Sequence, residues 1–150
     1  MPPEISTSVV LRIARTKEER QEIMSLLEEQ KLPVSDITEN TLLYVLKDGE
    51  TAIGTAGLDI FDGCTLLRSI SILKDFRGKG YGELLNSKIE QAAKEKGINC
   101  LYLVTDSAGD FFSKQGYFAI DRNTAPEGIK QADQFSSLCP SSAWVMKKYL

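Results

Sequence analysis

The stretch Leu73-Lys74-Asp75-Phe76-Arg77-Gly78-Lys79-Gly80-Tyr81-Gly82 stands between two readable elements. Before it runs the largely apolar Thr65 to Leu73, and after it come Leu84, Leu85, Ile89 and Ala92 at helical spacing. A strand that turns through glycines into a helix and returns to a parallel neighbour is a βαβ crossover. Glycines at 78, 80 and 82 let the backbone turn tightly and approach a ligand closely, because they carry no side chain and tolerate positive φ. The first amides of the following helix have no partner within it, and the helix dipole adds positive charge there. The loop is therefore suited to a phosphate or pyrophosphate, with Arg77 and Lys79 adding charge at its edge. No Lys-Ser/Thr pair follows the last glycine, so it is not a P-loop; the GxGxG spacing and late strand make a poor dinucleotide fingerprint. A short glycine motif also serves as a plain strand-to-helix turn, so this one needs a companion.

Upstream, Val9 to Ala14 reads as a strand and Lys17 to Gln30 as a helix, opened by a capping box of Thr16 and Glu19. Pro33 closes that region, and Ser35 to Glu39 fits one short helical turn. Strands Thr41 to Lys47 and Thr51 to Phe61 meet at Asp48-Gly49, a strong hairpin signal, and Asp62-Gly63 turns into the strand at Thr65. Downstream, the helix runs to about Lys96 and Gly97 ends it. Asn99 to Asp106 is a strand, Ala108 to Gln115 a short helix stopped by Gly116, and Tyr117 to Asp121 and Ala143 to Tyr149 are strands. A helical turn fits Glu127 to Asp133. The fold class is α/β: a mixed sheet of roughly six or seven strands, helices on both faces, and a βαβ core.

Composition narrows the chemistry. The chain has 150 residues, the size of one ordinary domain, with 42% hydrophobic and 26% charged residues, enough for a continuous core. It contains no histidine, which excludes Ser-His-Asp and Cys-His catalysis, HExxH metalloenzymes and an imidazole base. A net charge of −3 is a poor basis for binding nucleic acid. Cys64, Cys100 and Cys139 lack a CxxC pair, so neither a disulfide framework nor a zinc site is indicated, and no metal is expected. Unpaired thiols and the absence of a signal-like or membrane-spanning apolar run lead to an expected cytoplasmic location without a membrane partner.

The companion to the glycine loop lies one helix and one strand downstream. Arg77-Gly78-Lys79-Gly80-Tyr81-Gly82 resembles the Arg/Gln-x-x-Gly-x-Gly/Ala signature of the GNAT superfamily of acetyl-CoA-dependent N-acetyltransferases. Ala108-Gly109-Asp110-Phe111-Phe112-Ser113-Lys114-Gln115-Gly116-Tyr117 resembles its second block, and the element order matches across the chain. Leu66-Leu67-Arg68-Ser69, the Phe111-Phe112 pair and the tail Phe135 to Ala143 are similar to the GNAT subgroup found in arsenic-resistance operons.

The resemblance implies a single acetyltransferase domain that uses acetyl-CoA as donor. The pyrophosphate would rest on the amides of Arg77, Gly78, Lys79, Gly80, Tyr81 and Gly82. The pantetheine arm would lie between two splayed strands, meeting the main chain of Ile70, Ser71, Ile72 and Leu73, with Thr105 and Phe112 alongside. The acceptor amine would attack the thioester directly, with an amide at Ile72 or its neighbour stabilising the oxyanion. Phe112 stands where many members carry a Tyr that protonates the departing thiolate, and Thr105 where many carry Asn. Tyr117, a nearby hydroxyl or solvent must then supply the proton.

Several side chains carry two readings. Arg68, in mid-strand, either grips an anionic group of the acceptor or pairs with an acidic residue. Asp106 either accepts the ammonium proton or caps the next helix. Ser69, Cys139 and Ser141 border the expected acceptor pocket, although a lone thiol such as Cys139 also serves as a small buried hydrophobe. The acceptor is expected to be a small, amino-acid-like amine carrying an anionic group, with resistance to arsenic or another toxin as the biological outcome. The acidic chain also suits a basic peptide acceptor, and Phe112 suits an acyl-CoA sensor without turnover. Strand exchange near the C-terminus would suit a homodimer.

Overall fold

A computed structural model describes residues 8–61, 63–132 and 143–150. The described elements form a seven-stranded sheet in the order β1-β2-β3-β4-β5-β7-β6. In sequence they are β1 (Val9–Ile13), α1 (Lys17–Glu29), β2 (Thr41–Asp48), β3 (Thr51–Phe61), β4 (Cys64–Ile72), α2 (Tyr81–Glu95), β5 (Cys100–Thr105), α3 (Gly109–Lys114), β6 (Phe118–Ile120), α4 (Glu127–Gln131) and β7 (Trp144–Tyr149). All neighbours pair antiparallel except β4 and β5, which are parallel because α2 carries the chain across. The expected mixed α/β architecture is the one observed.

Alternation along the strands assigns the helices to faces. In β2, Leu43 and Val45 pack with Ile23 and Leu27 of α1, while Tyr44 and Leu46 join the cluster that holds Leu85, Ile89 and Ala93 of α2. In β5, Tyr102 meets Ile129 of α4, whereas Leu101 and Leu103 turn to the side of α2 and of Phe112 in α3. Helices α1 and α4 thus cover one face and α2 and α3 the other.

The structure refines several boundaries. Leu73 leaves β4 to start a 3-10 turn at Lys74–Phe76, and a second such turn lies at Arg122–Thr124; sequence periodicity resolved neither, because each is three residues long. Ser35 to Glu39 forms turns closed by Ile37 N–H to Val34 O and Thr41 N–H to Thr38 O, and no helix. The strand expected from Tyr117 begins at Phe118, since the Tyr117 amide donates to Phe112 O at 3.0 Å.

The start of α1 shows sequence fixing local structure. Thr16 Oγ1 accepts the Glu19 amide at 3.1 Å, and the Glu19 carboxylate accepts the amides of Thr16 and Arg15. The bond from the Arg15 amide leads the effects that hold the Glu19 carboxyl below its ordinary pKa. Thr16→Ala should lower stability by about 1 kcal/mol in urea denaturation, with an unchanged m-value. Because the folded-state pKa of Glu19 is depressed, its contribution is present above the unfolded-state value and fades as pH falls through the folded one. A Glu19→Gln variant should therefore lie closest to wild-type stability in acid.

Candidate active site

Strands β4 and β5 share one registered pair, Leu66 with Tyr102. Beyond it β4 runs on to Ile72 and β5 to Thr105, and a cleft of about 760 Å³ occupies the space between them. Its sheet walls are Leu66 to Ile72 on one side and Leu103 to Thr105 on the other. Lys31, Leu32 and Pro33, just past α1, close it on one face; Gly82, Phe111 and Phe112 close it on the α2–α3 face.

A bulge shapes the β4 wall. Gly57 pairs with Arg68 and Thr55 with Ser71, so β4 advances three residues while β3 advances two. Ser69 takes the extra step with φ +55°, a left-handed conformation that few non-glycine residues adopt. The wholly buried Thr55 fixes it, donating its hydroxyl to Ser69 O at 2.8 Å and lying 2.7 Å from Ser71 Oγ.

At the end of β4, the Leu73 amide donates to Ile53 O of β3. Successive residues of a strand point their backbone groups to opposite sides, so Ile72 directs its N–H and C=O away from β3, toward the cleft. The Ile72 carbonyl there accepts Arg77 Nε at 2.8 Å, while Arg77 Nη2 donates to Gln30 Oε1 at 2.6 Å. Arg77 thereby joins β4, the glycine loop and the end of α1.

The loop carries the features of an anion site. Gly78 and Gly80 have φ +76° and +86°. Gly80 is the N-cap of α2 and provides no side-chain cap, and the first bond into the helix is Leu84 N–H to Gly80 O. The amides of Tyr81, Gly82 and Glu83 therefore lack intrahelical partners at the cleft's edge. Gly82 also makes room for Phe111, whose ring would lie 3.3 Å from an added Cβ. This donor set, next to an apolar channel, fits a pyrophosphate with a long flexible arm.

The structure gathers most of the residues singled out in the sequence. Arg68, Ser69, Ile70, Ser71, Ile72, Arg77, Gly78, Gly80, Tyr81, Gly82, Thr105, Asp106 and Phe112 all line the cleft. Lys79 and Leu73 do not; Leu73 is turned toward β3. Asp106 is exposed and does not cap α3: Thr105 Oγ1 accepts the Ala108 amide at 3.0 Å instead. Cys139 and Ser141 lie outside the described residues.

Tyr117 lies elsewhere. Its ring stacks edge-on behind Phe112, with centroids 5.5 Å apart, and its buried hydroxyl has no hydrogen-bond partner among the described residues. Burial, aided by the charge of Glu90, pushes its pKa well above the ordinary value. A hydroxyl that is walled off from the cleft and holds its proton this tightly is not placed to protonate a leaving group there, which corrects the expectation for Tyr117.

Arg68 takes the salt-bridge reading. It is 4% exposed, and its five N–H donors reach Asp36 Oδ1 and Oδ2 (2.7 and 2.5 Å), Asp59 Oδ2 (3.0 Å), Ser69 Oγ (3.1 Å) and Pro33 O (3.4 Å). Burial alone would lower its pKa, but the hydrogen bond to Asp36 and the charges of Asp59 and Asp36 raise it. Asp59 was legible in advance: with Phe61 opposite Cys64 in the hairpin, it is a diagonal neighbour of Arg68 on the same face. Asp36 and the wall at Lys31 to Pro33 were not, because only the tertiary fold brings that connection to the sheet. Removing Arg68 alone would strand two buried carboxylates, at a cost of roughly 3–5 kcal/mol.

A parallel pair parted over orphaned helix amides leaves a cleft with an anion-binding end. Residues 10–117 match the acetyltransferase (GNAT) family, and the chain belongs to it. An uncharacterized N-acetyltransferase of Chlorobaculum tepidum is 38% identical over 63 residues, covering 42% of this chain and 40% of that protein. The amino-acid acetyltransferase of Escherichia coli K12 is 29% identical over 62 residues, 41% of this chain and 14% of that enzyme. The fold superposes on N-acetylglutamate synthase from Neisseria gonorrhoeae, complexed with coenzyme A and N-acetyl-glutamate, with a TM-score of 0.76 at 19% identity over 97% of this chain and 36% of that one. The chain thus matches less than half the length of each.

Gly80→Asp places a carboxylate and a strained left-handed side chain at the α2 amides. It should abolish calorimetrically detected binding of coenzyme A while leaving the far-UV circular dichroism spectrum unchanged.

Proposed function

We propose that the protein is an N-acetyltransferase that moves the acetyl group of acetyl-CoA to the amine of a small, amino-acid-like acceptor. The observation that carries this reading is the cleft between β4 and β5, which ends on the unpartnered amides of Tyr81, Gly82 and Glu83. The amino-acid acetyltransferase relative supports an amino-acid-like acceptor.

Acetyl-CoA supplies an activated thioester carbonyl. The loop amides would hold the pyrophosphate end, with the charge of Arg77 at its edge, and the apolar walls would exclude water from the arm. The Ile72 N–H, free of β3, is oriented to stabilise negative charge on the carbonyl oxygen; one such donor is worth roughly 10²–10³ in rate. The acceptor nitrogen forms its bond to the carbonyl carbon as the carbon–sulfur bond breaks. Asp106 takes the ammonium proton, directly or through water, from its exposed place at the end of β5. With Phe112 at the cleft and Tyr117 behind it, neither ring offers a proton to the departing sulfur, which would take one from solvent.

The likeness of Leu66 to Ser69 and of Phe111-Phe112 to proteins of arsenic-resistance operons extends the proposal to resistance, in which acetylation removes the amine's charge from a toxic amino-acid analogue. Phe112 supports a second reading, an acyl-CoA sensor without turnover. Titration with acetyl-CoA, followed by thiol detection against a panel of amino acids and simple amines, separates the readings. Binding with amine-dependent release of coenzyme A is expected. Binding without release against any amine would leave the sensor, and a folded protein that does not bind acetyl-CoA would overturn both.

A further inference from the structure

Behind the cleft, polar groups of α2, β7 and the end of α3 meet at Glu90. Its carboxylate accepts Lys148 Nζ of β7 at Oε1 (2.8 Å) and Oε2 (3.1 Å), and Asn86 Nδ2, one helical turn earlier, at Oε2 (2.7 Å). Lys148 Nζ also donates to Gln115 O, just past α3, at 2.6 Å. These three bonds engage all the donors of the ammonium group. Two atoms at the junction are left over. Asn86 Oδ1 and Tyr117 Oη are both buried, in residues only 3% exposed, and neither has a hydrogen-bond partner among the described residues. Turning the Asn86 amide over does not help, because its Nδ2 is committed to Glu90. Burial first, and then the nearby charge of Glu90, raises the pKa of Tyr117, so its hydroxyl keeps its proton beside that carboxylate without bonding to it directly. A buried polar atom without a partner costs as much as a lost hydrogen bond. A polar gap wider than a direct bond is where a protein holds an internal water.

We propose that Tyr117, Asn86 and Glu90 form a binding site for a single internal water molecule, built into the protein beneath the cleft. The water accepts the Tyr117 O–H, donates one hydrogen to Asn86 Oδ1 and gives the other to Glu90 Oε1, which Lys148 alone engages. Both leftover atoms are then satisfied, and the Glu90–Lys148 pair keeps its bonds. The water joins α2, whose first amides face the cleft, to the residue whose ring backs Phe112. None of Asn86, Glu90, Gln115, Tyr117 and Lys148 lines the cleft, so the site is independent of the acetyltransferase reading.

Tyr117→Phe keeps the ring, removes the hydroxyl, and decides by the sign of its effect. A hydroxyl without a partner weakens the fold, so deleting it would leave stability unchanged or raise it. A hydroxyl that holds a water also holds it for Asn86, so deleting it should lower the folding equilibrium constant about tenfold in urea denaturation. Asn86→Leu, made in both backgrounds, reads the shared water. Once the water is gone Asn86 Oδ1 has lost its partner, so Asn86→Leu should cost less in Tyr117→Phe than in wild type; the bond from Asn86 Nδ2 to Glu90 cancels in the comparison. A crystal structure of the wild type should show one ordered water within hydrogen-bond distance of Tyr117 Oη, Asn86 Oδ1 and Glu90 Oε1, and that of Tyr117→Phe should lack it. A Tyr117→Phe protein as stable as wild type or more so overturns the proposal. So do independent effects of the two substitutions, or a crystal structure in which Tyr117 Oη bonds Glu90 directly.

Discussion

The site depends on two parallel strands that touch once and then part. A central pair in a sheet normally satisfies its backbone groups along its whole length, and leaving them open inside a protein is costly. Here β4 and β5 register only at Leu66 and Tyr102, so beyond that point the cleft-facing groups of β4, the Ile72 N–H among them, have no partner on β5. Three features keep the gap open. The bulge at Ser69, held by Thr55, redirects β4; Arg77 ties its end to α1; and α2 carries the chain across to β5 and walls one face. The first two are single hydrogen-bonded contacts, and they hold β4 at its middle and at its end.

Polar side chains buried near the cleft serve this geometry. Thr55 and Arg68 are both almost fully buried, and each ends on a strand or loop that borders the gap. The apolar clusters on the two faces fix where the helices lie, whereas these polar contacts fix the shape of the opening. That division explains why the core is ordinary in composition while the site is not.

Much of this was legible in the sequence. The glycine loop, the DG hairpins and the capping box each announce their structure through backbone requirements that few residues meet, and the helical stripes identify the buried faces. The 3-10 turns and the non-helical Ser35 to Glu39 segment escaped because periodicity needs more than one turn to register. Site residues carried on β4, the loop and α3 were found because the chain itself places them together. Tyr117 was misjudged because nearness in sequence to Phe112 says nothing about which side of that ring it occupies. Asp36 was missed because it reaches Arg68 only through the folding of α1 against the sheet.

The cleft has walls on both faces of the sheet, Lys31 to Pro33 on one and Gly82 with Phe111 on the other. The two walls belong to separate stretches of the chain, the connection after α1 and the helices α2 and α3. A substitution in the connection can therefore reshape one wall while the orphaned amides of α2 stay in place on the other.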